Sequence, residues 1–288
     1  MKIGLLFVIP VVLLSGCSMQ DQCTNKVFRV MSFNIRNDNS DDGQHVWMNR
    51  KEGVAKMLDF HRVDIAGMQE VLKNQLEDIK RMAPEFAAVG VGRTDGKEKG
   101  EYAPIFYRTS RFSVADWGTF WLSETPADTG SRGWDAALER IVTWALMQDK
   151  NDHKQFYFFN THFDHRGEEA RRNSAALIMY RIRDVAGDKP VVLSGDFNLD
   201  EHADPYFLIT KGDAPLIDSR IAVGDAAYGP YGTYTGFNGD EKNLRNIDFI
   251  FVNDRIDVLR QGIISENWNG ILPSDHRPVV ADIRFKKR

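Results

Sequence analysis

"VVLSGDFNLD", Val191 to Asp200, is the stretch that decides how this chain is read. An apolar run stops at Gly195, and Asp196, Asn198 and Asp200 follow at once. Residues two apart on an extended segment point the same way. Asp196 and Asn198 therefore face one ligand, the carboxylate supplying charge and the amide a neutral contact. A single strand ending like this is ordinary turn chemistry. It carries meaning only if other strands end in the same kind of residue.

They do. "MSFNIR" delivers Asn34, "AGMQE" delivers Glu70, and "FFNTHFDH" delivers His162. "NIDFIFV" carries Asp248, and "PSDHRPVV" brings Asp275 and His276 ahead of Pro278. Glu70, Asp196, Asp248 and Asp275 would gather like charges at one edge, which is costly unless a cation or protons compensate. Oxygen donors without cysteine favour Mg²⁺, Mn²⁺ or Ca²⁺ over zinc. Two histidines among those carboxylates point to acid–base work or charge stabilisation.

The intervening segments alternate between strand and helix patterns. "VFRVMSFNIR" and "VDIAGMQE" read as strands, and "VWMNRKEGVAKMLDF" has helical spacing at Val46, Met57 and Leu58. "IFYRTSRFSVADWGTF" reads as two strands joined at Thr109-Ser110. "RIVTWALMQD" and "KQFYFFNTHFD" read as a hairpin around Asn151–His153. "GEEARRNSAALIMYRIRDVAG" is the clearest helix, acidic at its start and closed by Gly187. Strands outnumber helices and many are apolar on both faces. That predicts an α/β chain folded as a four-layer α/β/β/α sandwich with two mostly antiparallel central sheets. Two long irregular stretches, "LSETPADTGSRGWDAAL" and "YGPYGTYTGFNGDEKN", read as functional loops. Trp121, Arg132 and Trp134 in or beside the first, and Tyr228, Tyr231, Tyr234 and Phe237 in the second, fit either ligand stacking or core closure. Of the remaining histidines, His45, His61, His153 and His202 read as surface residues, and His165 stays open.

In order along the chain, "FNIR", "QE", "RIVTW", "NTHFD", "GDFN", "IDFIFV" and "SDHRP" resemble the motifs of the endonuclease/exonuclease/phosphatase family. That family includes pancreatic deoxyribonuclease, apurinic endonucleases, poly(A) deadenylases, sphingomyelinases and inositol phosphatases. The resemblance runs from about Phe28 to Phe285 and implies a divalent-metal phosphoesterase, with Mg²⁺ as the expected ion and Mn²⁺ or Ca²⁺ as alternatives. It implies Glu70 as the main metal ligand, helped by Asn34 and Asp275. It implies Asp196 as the group that orients or deprotonates the attacking water, and Asn198 as a phosphate contact. His276 would face the scissile phosphate, with Asp248 fixing its tautomer and favouring the imidazolium. His162 would be the second phosphate-facing histidine, with Glu101 behind it, and Arg140 would bind phosphate.

The N-terminus, "MKIGLLFVIPVVLLSGC", has a lysine, a short apolar run and small residues before Cys17. It reads as a secretory signal over residues 1–16, and its Leu14-Ser15-Gly16-Cys17 ending resembles a bacterial lipobox. Cys17 would be lipidated, residues 17–27 would tether, and 28–288 would form the catalytic domain on the periplasmic or cell-surface side of a bacterial membrane, held by a lipid anchor alone. Only Cys23 then remains, so stability must come from the core. The chain of 288 residues carries a net charge of −4, and loss of Lys2 makes it more negative. Long nucleic acids call for basic surfaces. A small phosphorylated substrate is therefore favoured over an exported nuclease, with a non-catalytic binding module as the third reading.

Overall fold

The computed structural model describes residues 26–237 and 244–287. The signal, Cys17 and most of the tether lie outside the described residues. Strands β1 (Phe28–Asn34), β2 (Ile65–Gln69), β3 (Phe86–Val89) and β4 (Ile105–Arg108) are interleaved with helices α1 (Trp47–Phe60) and α2 (Lys73–Met82). Then follow β5 (Phe112–Trp121), β6 (Ile141–Asp149), β7 (Gln155–His162), α3 (Glu168–Ala186) and β8 (Val191–Asp196). The chain finishes with α4 (Asp204–Lys211), β9 (Ile217–Asp218), α5 (Ser219–Val223), β10 (Asp248–Val252), β11 (Ile256–Ile263) and β12 (Val279–Phe285).

Two six-stranded sheets form, ordered β11-β12-β1-β2-β4-β3 and β5-β6-β7-β8-β10-β9. Only the β1–β2 and β7–β8 pairs are parallel. The expected four layers follow from side-chain alternation. Met31, Phe33, Ala66 and Met68 face outward and bury Val54, Leu58 and Ile79 of α1 and α2. Phe159, Leu193 and Phe251 face outward from the second sheet and bury Ile178, Ile182 and Ile209 of α3 and α4. Phe28, Val30 and Ile65 meet Phe156, Phe158, Val192 and Ile250 between the sheets.

That inner layer changes character along its length. On β1 the inward positions run Phe28, Val30, Ser32, Asn34, and on β7 they run Phe156, Phe158, Asn160, His162. On β8 they run Val192, Ser194, Asp196. Apolar packing gives way to a neutral polar belt, then to ionisable groups at the rim. Hydrogen bonds link the belt at its centre, although Gln69 Oε1 has no partner there. Gln69 Nε2 donates to Asn160 Oδ1 at 2.7 Å, Asn160 Nδ2 donates to Met68 O at 2.7 Å, and Ser194 Oγ donates to Asn160 Oδ1 at 3.1 Å. The sheets touch so closely here that a Cβ on Gly67 would stand 2.2 Å from Ser194 Oγ.

One local reading gains detail and one changes. β4 and β5 belong to different sheets, so the Thr109-Ser110 turn carries the chain from one sheet to the other. Val46 precedes the first helix with extended geometry, and the buried face of α1 starts at Trp47 and includes Arg50. The Asn151–His153 hairpin and the α3 helix closing at Gly187, whose φ is 53°, form as read.

Candidate active site

Register brings the strand-end residues together. His162 pairs with Asp196 across β7 and β8, and Asp196 pairs with Asp248 across β8 and β10. In the other sheet Asn34 pairs with Gln69, which sets Glu70 one residue beyond the end of β2. The sheets then meet: Asn34 Nδ2 donates to Glu70 Oε1 at 3.0 Å and to Asp196 Oδ2 at 2.9 Å. Asp275 and His276 arrive on the segment before β12, where Ser274 Oγ donates to the Asn34 carbonyl at 2.7 Å. Arg36, Glu70 and Asn198 all hold left-handed φ, 56°, 60° and 51°, a conformation that costs a non-glycine residue roughly 1–2 kcal/mol. A cavity of about 370 Å³ opens here, lined by Glu70, Arg140, His162, Asp196, Asn198 and His276 among others.

The two histidines differ in charge. His276 Nδ1 donates to Asp248 Oδ2 at 2.8 Å, and its Nε2 lies 3.8 Å from Asp196 Oδ2. Burial opposes its charge, but Asp248 and Asp196 outweigh burial and hold the imidazolium well past its usual range. His162 goes the other way. Burial and the neighbouring Arg140 and Arg93 push its pKa well below the usual value. As a neutral ring it accepts from Asn198 Nδ2 through Nε2 at 3.1 Å, which puts the proton on Nδ1. Burial and the Asp248 charge raise the Asp196 carboxyl to about 7, against the stabilising pull of His276. Burial also works against the Glu70 carboxylate, yet His276, Asn34 and the Asn37 N–H keep its pKa below the ordinary value.

The placement of the other candidates is uneven. Arg140 is buried at 4 % exposure, with Nε 3.4 Å from Asp164 Oδ2, Nη2 donating to His165 Nδ1 at 3.1 Å, and Nη1 without a partner. A buried guanidinium with one free N–H pair in the cavity wall suits a phosphate oxygen. Glu101 does not bond His162: the Nδ1 to Oε2 gap is 4.0 Å, because Arg93 holds Glu101 at 2.5 Å. Asn34 turns its NH₂ to the carboxylates and its Oδ1 to the Arg36 N–H at 3.0 Å. In that orientation it bridges Glu70 and Asp196 and withholds its oxygen from a cation. His45 is buried, stacked on Phe237 with ring centroids 4.6 Å apart, which corrects its reading as a surface residue.

The aromatic loop residues also sort themselves. Trp121 is buried and donates through Nε1 to Arg93 O at 2.7 Å, so it closes the core. Of the tyrosines in the second long loop, Tyr234 lines the cavity. Sequence reading overlooked three supporting residues. Asp164 accepts from the Arg166, Gly167 and Leu138 N–H groups, at 2.9, 2.8 and 3.2 Å, fixing the loop before β6 against the end of β7. Asn37 supplies an N–H to Glu70 at 3.1 Å. Arg50, fully buried, donates to the carbonyls of His45, Ile35 and Pro273 at 2.5, 2.6 and 2.9 Å, tying the segments on either side of the site. "FNIR" and "NTHFD" flag the neighbourhood of Asn37 and Asp164, whereas nothing in a helical "NRKEG" signals a buried arginine.

Two donor groupings could receive a cation. Ligand atoms of Asp196, Asp248 and His276 lie within 4.8 Å of one another. His276, however, is charged and bonded to Asp248 through one nitrogen, so it is a poor ligand in this state. Glu70 and Asp275 offer carboxylates at the cavity wall, and the Glu70 charge adds to burial in raising Asp275. Such an all-oxygen pair suits a hard divalent ion.

A family model described as the endonuclease/exonuclease/phosphatase family matches residues 31–276. An endonuclease/exonuclease/phosphatase from Bacteroides vulgatus is 42% identical, with a TM-score of 0.88 over 90% of this chain and 99% of that one. A mannosyl-6-phosphatase from Bacteroides thetaiotaomicron is 38% identical, with a TM-score of 0.85 over 90% of this chain and 100% of that one. Two uncharacterized mimivirus proteins match at 28% and 22% identity, and the chain spans only 60% and 45% of their own lengths. The chain belongs to the endonuclease/exonuclease/phosphatase family, whose members are hydrolases of phosphoester bonds.

Proposed function

We propose that this protein is a divalent-metal-dependent phosphomonoesterase acting on small phosphorylated molecules by direct attack of water. One observation carries the reading: His276 bonded to Asp248, the unpartnered Arg140 Nη1 and the buried Asp196 carboxyl converge on one cavity of about 370 Å³. The similarity to a mannosyl-6-phosphatase supports a monoester of a sugar or a related small alcohol.

Each group has a separate task. Asp196, near neutral pKa, accepts the proton of the attacking water, where a base works best. Arg140 Nη1 holds a phosphoryl oxygen, and the His276 imidazolium meets charge that grows as the ester P–O bond breaks. The Asn198 amide spends its two N–H groups on His162 Nε2 and Phe163 O and so positions His162 rather than meeting the phosphate. Neutral His162 donates through Nδ1 or accepts through Nε2 without adding charge. Glu70 and Asp275 are the residues that would hold a divalent ion. When bound, the ion supplies Lewis-acid polarisation of the phosphoryl group. The ester oxygen takes the Nε2 proton of His276 as the P–O bond breaks and leaves as the free alcohol. The water proton held on Asp196 then passes to His276 Nε2, 3.8 Å away, as inorganic phosphate departs.

Export and lipid anchoring at Cys17 complete the proposal and rest on the N-terminal sequence. Mass spectrometry of the cell-derived N-terminal peptide should find Cys17 acylated; an unmodified Met1 peptide would remove that part. For the activity, phosphate release is measured from monoesters, diesters and plasmid DNA with Mg²⁺, Mn²⁺, Ca²⁺ or chelator. Monoesters should be hydrolysed and chelator should stop turnover. Plasmid nicking as the sole activity, or turnover in chelator, would overturn the reading.

A further inference from the structure

Two exposed apolar side chains stand in the wall of the catalytic cavity beside the buried Ile247, one from each long loop. Leu138 is 37 % exposed and Tyr234 is 38 % exposed. Tyr234 is not free to swing away. Its N–H donates to Arg245 O at 3.0 Å, the next residue's N–H donates to Asp275 O at 2.7 Å, and its ring stands against His276 with centroids 5.0 Å apart. A tyrosine face is thus preplaced beside the position of the reacting phosphate.

Polar donors flank these apolar groups. The Arg245 guanidinium lines the same cavity and has no side-chain partner among the described residues. His165 accepts from Arg140 through Nδ1, which leaves its Nε2–H as a donor. A second groove of about 540 Å³ adjoins the cavity through Asn198 and Arg245. Its wall mixes Glu168, Glu169, Asp200 and Asp204 with Arg171, Arg172 and Arg245 and has no aromatic side chain.

One aromatic face, one aliphatic side chain and a rim of donors match a ring that has C–H faces and hydroxyl edges. A nucleic acid strand needs a succession of stacking faces along a basic track, whereas the adjoining groove has no aromatic side chain and sets four carboxylates among its three arginines. We propose that Tyr234 and Leu138, with Arg245 and His165, form the leaving-group subsite for a polyhydroxylated six-membered ring, either a pyranose or a cyclitol. The open groove beyond Asn198 accommodates further hydroxylated units attached to that ring. This assignment rests on the phosphomonoesterase reading of the same site.

The experiment compares kcat and KM for a hexose 6-phosphate, an inositol monophosphate, glycerol phosphate and a 5′-nucleotide. Wild-type protein should prefer one of the ring polyols over glycerol phosphate by about tenfold or more in kcat/KM. Tyr234→Ala and Leu138→Ser should each erode that preference about 3- to 10-fold, chiefly through KM, while Tyr234→Phe retains it. Leu138 is an exposed loop residue, so its variant tests the subsite even if Tyr234→Ala folds poorly. A nucleotide as the best substrate, or a ring preference that survives both substitutions, overturns the subsite. Failure to hydrolyse any of the four monoesters overturns the phosphomonoesterase reading itself.

Discussion

At the scale of single residues, the site works because neighbouring groups hold opposite protonation states. His276 is charged because Asp248 and Asp196 outweigh its burial, whereas His162 is neutral because burial, reinforced by Arg140 and Arg93, disfavours its charge. Two imidazoles, 3.5 and 3.8 Å from the same Asp196 oxygen, therefore do different work. Asp248→Asn should lower the His276 pKa toward its ordinary value, since the largest charge favouring the imidazolium is lost. Nitrogen-detected NMR should show that downward displacement, and kcat should fall by about 100-fold or more. An unchanged His276 titration would contradict the role given to Asp248. Sequence reading reached Asp196, Asn198, Asp248 and His276 because each lies at or just beyond one end of a recognisable strand. It missed the competition for Glu101, because the capture of that carboxylate by Arg93 depends on a loop turning back on itself.

At the scale of elements, the rim depends on the register of β7, β8 and β10 and on a narrow join between the sheets. The polar belt of Gln69, Asn160 and Ser194 lies directly beneath the catalytic residues, and Gly67 leaves room for it. Gly67→Ala would drive a methyl into Ser194 and Asn160, costing about 1–3 kcal/mol in a packed core. Thermal melting should show the loss, and Gly67→Ala combined with Ser194→Gly should recover part of it. A Gly67→Ala protein as stable as wild type would mean that the sheets do not approach this closely. Alternation and strand propensity made the strands legible. The switch of sheet between β4 and β5 was not legible, because pairing partners are chosen by long-range packing rather than by the turn itself. The burial of Arg50 was likewise hidden. Five backbone carbonyls, from Ile35, Arg36, Asn37, His45 and Pro273, surround its guanidinium only after two distant loops have come together.

At the scale of the whole molecule, two sheets with separate helical covers meet over an inner layer that is dry at one end and ionisable at the other. Neither sheet holds a complete site. Asn34 and Glu70 come from one sheet, His162, Asp196 and Asp248 from the other, and His276 from the segment that leads back into the first. Hydrolysis thus requires the whole sandwich, which explains why motifs spread over residues 31–276 were needed to recognise the family at all. The most direct test compares phosphate release from a hexose 6-phosphate by wild-type protein and by Asp196→Asn, with matched melting curves. A loss of about 100- to 10,000-fold in kcat, with the fold intact, is the expected result for removal of the general base. An Asp196→Asn protein that turns over within a few fold of wild type would contradict the account.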